Sequence, residues 1–118
     1  MDSTLRDKVC ILTGATGGIG AAIARRLHAR GARLMLVDMP GTPLPALAEE
    51  LRAAWAFADV ADDVAVKTYT DQTMARFGAI DAVLANAGTE GRVAPVTQTR
   101  AEDVARLFAV NVFGPFAA

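Results

Sequence analysis

Between Thr13 and Gly20 the sequence reads Thr-Gly-Ala-Thr-Gly-Gly-Ile-Gly, with four glycines in the seven residues from Gly14 on. Such a stretch can turn sharply at Gly14 and bring its backbone close to a pyrophosphate at Gly18. Gly20 lets a following helix pack tightly on the preceding strand. A glycine pattern alone is a weak signal, and its position gives this one force. Lys8 to Gly14, a short apolar run, leads in as a strand, and Ile19, Ala22, Ile23 and Leu27 recur afterwards at helical spacing. The N–H groups of the helix's first turn, with the helix dipole behind them, would then face phosphates. A turn that merely redirects the chain does not call for so many glycines at this junction. Asp38 follows Gly20 by eighteen residues and closes a second apolar run. A carboxylate there accepts hydrogen bonds from ribose hydroxyls and repels a 2′-phosphate. The neighbouring positions where a basic residue would welcome that phosphate hold Met39, Ala15 and Thr16. The expected cofactor is therefore NAD, with NADP the less favoured form.

The elements that must position these residues alternate regularly. Strands are expected at Lys8–Gly14, Arg33–Met39, Trp55–Val60 and in Ala79–Gly88, the last running into a loop. Helices are expected after the glycine turn as far as Gly31, over Leu44–Ala54, and over Asp62–Phe77 with Gly78 as its stop. Thr89 to Gln98 reads as irregular. Thr99 and Glu102 then form a capping box that opens a last helix toward Ala118. Runs that are apolar on both faces, with helices between them, predict an α/β fold with a doubly wound parallel sheet. Trp55, Phe57 and Cys10 are expected to pack on or within that sheet.

The chain is 118 residues long, which suits a single domain spanning 1–118. Apolar residues make up 53 % and charged residues 21 %, which excludes a disordered chain. A net charge of −1 with mixed signs gives no pull toward nucleic acid or an anionic membrane. The one cysteine cannot form an internal disulfide, and with a polar N-terminus this suits the cytoplasm. No metal-ligand spacing occurs. His28 reads as a favourable charge near a helix C-terminus.

At this point the motifs resemble those of the short-chain dehydrogenase/reductase family, in its standard-length form. The glycine turn fits that family's Thr-Gly-x-x-x-Gly-x-Gly. Ala85 to Gly88 is similar to its Asn-Asn-Ala-Gly, with Ala85 in place of the first Asn. Asp59 and Val60 match its Asp-Val pair, and Asn111 to Gly114 its Asn-x-x-Gly. The resemblance implies a Rossmann fold of strand order 3-2-1-4 and hydride transfer between nicotinamide and an alcohol or carbonyl carbon of a small molecule. It implies that Thr13, Gly14, Thr16, Gly17, Gly18, Ile19 and Gly20 wrap the diphosphate, and that Asp38 and Met39 lie at the adenine ribose. Asp59 and Val60 would hold the adenine. Asn86, Ala87 and Gly88 would line the cofactor, with Val110 near the nicotinamide side. Asn111 would belong to the family's catalytic Asn-Ser-Tyr-Lys tetrad, where it helps hold a water. A homo-oligomer is also implied.

The other tetrad members find no match. The sole Tyr, Tyr69, is followed four residues later by Thr73 instead of Lys, and the sole Ser is Ser3 in the N-terminal tail. The resemblance thus reads as a cofactor-binding portion truncated before the Ser and Tyr-x-x-x-Lys segment, inactive alone. Two other readings fit the same residues: a non-catalytic dinucleotide-binding module, and a partner-dependent subunit.

Overall fold

A computed structural model describes residues 4–88, 94–113 and 115. Ser3, Gly114, the last three residues and most of the Thr89 to Pro95 loop lie outside them. The strands β1 (Val9–Thr13), β2 (Arg33–Asp38), β3 (Ala54–Phe57) and β4 (Ala82–Leu84) alternate with α1 (Gly18–Ala29), α2 (Leu44–Leu51), α3 (Asp63–Phe77) and α4 (Ala101–Phe108). They form one parallel sheet of order β3-β2-β1-β4, as expected.

The alternation of side chains along each strand divides the core between the two faces. Leu12, Leu34 and Leu36 pack with Ala24 of α1 and Leu44, Leu47 and Leu51 of α2. Ile11, Met35 and Val37 pack with Val66 and Tyr69 of α3. All five residues of β1 are buried, so this strand is covered on both faces and paired on both edges. Cys10 is buried there as expected, and burial pushes its thiol pKa up, with Asp81 adding to the rise.

Helix ends follow local chemistry. Asp62 caps α3 by accepting the N–H groups of Val64 and Ala65 at 3.0 and 3.4 Å, and Gly78 ends it at φ 78°. The expected α2 is too long. Arg52 takes a left-handed φ of 51° and stops the helix, which lets β3 begin at Ala54. No glycine marks that stop. Thr99 does not cap α4, because its hydroxyl donates to the Pro95 carbonyl at 3.2 Å within a short 3-10 turn at Val96–Gln98. The cap lies one residue later, where the Asp103 carboxylate accepts the Arg100 N–H at 3.0 Å. α4 then passes into a π-helical turn over Ala109–Phe113.

Two packing expectations need correction. Trp55 and Phe57 do not pack down on the sheet. They are 43 % and 40 % exposed on the edge strand β3 and meet each other edge to face, 5.1 Å between centroids. Their neighbours Ala54 and Ala56 take the core-facing positions. Ile19 is likewise exposed, and the apolar face of α1 runs instead through Ala21, Ile23, Ala24 and Leu27.

Tyr69 is 1 % exposed, and its hydroxyl has no hydrogen-bond partner among the described residues. A buried hydroxyl without a partner carries its full desolvation cost. Tyr69→Phe is expected to leave the midpoint of thermal unfolding unchanged or raise it. A loss above about 1 kcal/mol would show that the hydroxyl has a partner.

Candidate functional site

The C-terminal ends of β1, β2 and β4 place three segments side by side: the glycine turn, Asp38 and the loop Ala85 to Gly88. Thr13, at the end of β1, is fully buried and fastens two of them. Its hydroxyl accepts the N–H groups of Asn86 and Ala87, each at 3.1 Å. The Asn86 side chain in turn donates to the Gly14 carbonyl at 3.2 Å. Thr13 thus braces the turn from behind.

The glycines differ in what they answer to. Gly14 has φ 65°, and a Cβ there would come within 2.9 Å of the Ala87 Cα. A Cβ on Gly20 would strike the Gly14 carbonyl. A Cβ on Gly18 would meet nothing within 4 Å, so no group among the described residues demands glycine at that position. What that opening suits is a ligand's close approach to the helix start. Gly17 precedes α1, and no side chain caps the helix there. Its first-turn N–H groups are the ones an anion would take.

Two cavities open at this edge. One, of about 390 Å³, is lined by Thr16 to Gly20 and Asn86. The other, of about 310 Å³, is lined by Met39, Ala58, Asp59, Val60, Arg106 and Val110. Gly14, Asp38, Ala87 and Gly88 line both. Every sequence-derived cofactor residue except Thr13 therefore borders one cavity or the other. Val110 shares the cavity of Asp38, Asp59 and Val60. Asn111 lies in the π-helical turn and borders neither, yet a Cβ on Gly88 would come within 3.3 Å of its Oδ1, so its side chain sits beside that loop.

Asp38 is already ordered by donors. Its Oδ2 accepts the Thr16 N–H at 2.9 Å and the Thr16 hydroxyl at 2.6 Å, and its Oδ1 accepts the Met39 N–H at 2.8 Å. A carboxylate offers about four acceptor positions, so Oδ1 keeps one for a further donor. Asp59 is also engaged. Its Oδ1 accepts the Ala61 N–H at 2.9 Å, and its Oδ2 pairs with Arg106 at 2.8 Å. That hydrogen bond to Arg106 is the main reason the Asp59 pKa lies below the usual carboxylate value; desolvation opposes the shift, and the Ala61 N–H and the Arg106 charge assist it. The interaction therefore favours the folded chain above the ordinary carboxylate range and is lost as pH falls through the lowered value. Sequence reasoning missed Arg106, since nothing in Ala101 to Phe108 separates it from a solvated helix residue.

Tyr69 lies in the α3 core and borders neither cavity. Burial pushes its phenol pKa up, the wrong direction for proton transfer at neutral pH. Among the described residues no three His, Cys, Asp or Glu side chains could hold a metal ion.

Residues 8–118 match the short chain dehydrogenase family. The chain belongs to that family. Among its relatives are levodione reductase of Leifsonia aquatica, 36 % identical over 93 % of this chain, and D-threitol dehydrogenase of Mycolicibacterium smegmatis, 39 % identical over 98 % of it. These alignments cover 44 % and 46 % of the relatives, so the chain spans about half their length. A Brucella melitensis structure described as a short-chain glucose/ribitol dehydrogenase superposes with a TM-score of 0.91 at 34 % identity, over 99 % of this chain and 51 % of that one. A 3-ketoacyl-(acyl-carrier-protein) reductase from the same organism, in complex with NADH, gives 0.89 at 28 % identity, over 96 % and 47 %. Its relatives in the family include proteins named as dehydrogenases and reductases. No helix among the described residues is long and apolar enough to cross a membrane.

The contrast between Gly18 and Gly20 is testable by urea unfolding. Gly20→Ala is expected to cost roughly 1–3 kcal/mol or more, because the Gly14 carbonyl must move. Gly18→Ala is expected to hold or raise stability by about 0.5–1 kcal/mol, as a glycine replaced at a helix start.

Proposed function

We propose that these residues form the cofactor-holding part of an NAD-dependent oxidoreductase that moves a hydride between nicotinamide and an alcohol or carbonyl carbon of a small molecule. The observation that carries the reading is the Asp38 carboxylate, bordering both cavities beside an open Gly18 and with no basic residue at Ala15, Thr16 or Met39. The NADH-bound neighbour supports a nicotinamide dinucleotide as the ligand. When bound, NAD supplies the carbon that takes or gives the hydride. The chain's part is to bind and orient. The first-turn N–H groups of Gly18 to Gly20 neutralise the diphosphate, and Thr16 and Ile19 flank it. Asp38 takes a ribose hydroxyl at its remaining acceptor position, and its negative charge excludes a 2′-phosphate, with Met39 beside it. Asp59 and Val60 hold the adenine. Asn86, Ala87 and Gly88 form the floor, Val110 closes the side, and Asn111 holds a water for the proton relay.

Tyr69 favours a limit on this reading: it is buried outside both cavities with its pKa raised. Proton transfer at the substrate is therefore assigned to no Tyr among these 118 residues. Taken alone they act as a dinucleotide-binding module without turnover. A cytoplasmic homo-oligomer is the setting proposed for the enzyme.

Titration of Asp38→Ala with both cofactors tests the choice between them. NAD affinity is expected to fall about tenfold, the cost of hydrogen bonds to a charged acceptor, while NADP affinity falls less or rises. Equal losses would remove Asp38 from the ribose. Gly18→Val should fold and lose NAD; unchanged NAD binding would rule out the phosphate cradle.

A further inference from the structure

We propose that Arg106 is a positioning residue of the cofactor site: it holds the Asp59 carboxylate on the adenine wall and clasps α4 to the loop after β3. The inference rests on the NAD reading above.

The geometry is specific. Arg106 Nη1 lies 2.8 Å from Asp59 Oδ2, across 47 residues of sequence. The other oxygen is held by the Ala61 N–H at 2.9 Å. With a fixed donor on each oxygen, the carboxylate cannot swing, and each oxygen keeps an acceptor position for a ligand. Both residues line the same cavity. α4 is only partly held by its larger apolar side chains: Leu107 is half-buried, while Val104 and Phe108 remain 46 % and 49 % exposed. An ion pair this accessible contributes little to overall stability. Its effect is on orientation.

The chemistry of the pair also reads the base. A carboxylate accepts from the exocyclic amine of adenine and repels the carbonyl that hypoxanthine carries at the same place. An Arg106 freed from Asp59 is a pure donor and would favour that carbonyl. The pair thus turns a region of mixed charge into an acceptor aimed at an amine. Because Arg106 sits five residues before Asn111, the same bond ties the adenine end of the cavity to the segment that bears Asn111.

The test uses the protein as its source produces it and measures Kd for NAD, its hypoxanthine analogue and nicotinamide mononucleotide. In Arg106→Gln, NAD should bind about tenfold more weakly, and its advantage over the hypoxanthine analogue should shrink alongside, while the mononucleotide binds as before. Arg106→Lys keeps the charge and can still donate to an Asp59 oxygen, and should recover most of the loss. Asp59→Asn should lose a similar factor, and the double variant should be no worse than the weaker single. Unchanged NAD affinity in Arg106→Gln, additive losses in the double variant, or an equal loss for the mononucleotide would each overturn the clasp. A wild-type protein that does not bind NAD would overturn the cofactor reading, and this inference with it. Normal NAD binding with an indifferent Arg106 would overturn this inference alone.

Discussion

The Thr13 hydroxyl is the fixed point of the site. It ends a strand buried on both faces and accepts two backbone N–H groups from the loop after β4. Those donors would otherwise be left in a part-buried region with no acceptor, a costly arrangement. Once β1 and this loop are joined, the close approach of Ala87 to Gly14 follows, and with it the need for a residue without Cβ at the turn. The Asn86 side chain reinforces the junction from the loop side. Thr13 touches neither cavity, yet both cavities inherit their common wall from it.

The two acids of the site share a design. Asp38 is held by donors from Thr16 and Met39, and Asp59 by donors from Ala61 and Arg106. Each carboxylate is ordered before a ligand arrives and keeps acceptor capacity for it. Ordering a side chain in advance removes an entropy cost from binding. The tether differs in kind. Thr16 and Met39 lie next to the site in sequence or on the turn itself. Arg106 comes from a distant helix, so the wall it supports depends on tertiary packing.

The same distinction explains what was legible in the sequence. The alternating strands and helices, the glycine turn and the Gly78 stop are local chemistry, written where they act, whereas the strand order came with the family resemblance. Arg52 was not legible, because a left-handed arginine looks like any exposed helix residue. Trp55 and Phe57 are a strand pattern with its faces exchanged: alternation was visible, but which alternate faced inward depended on α3 meeting the two alanines. Thr99 offered a plausible cap, and the Pro95 carbonyl took its hydroxyl instead. Arg106 could not be found from spacing, because its partner is defined only once β3 and α4 lie near each other.

The turn that carries Asn111 has a geometric consequence. An α-helix advances about 100° per residue, and a π-helical turn accommodates one residue more than an α turn does. The helix axis therefore continues through Ala109–Phe113 while its angular phase slips. The face on which Asn111 lies cannot be assigned from α4 by counting in threes and fours. Removing a single residue there would close the wide turn to an α turn and alter how Asn111 is presented relative to α4. The length of this segment, and not only its residue identities, fixes the direction in which Asn111 is presented.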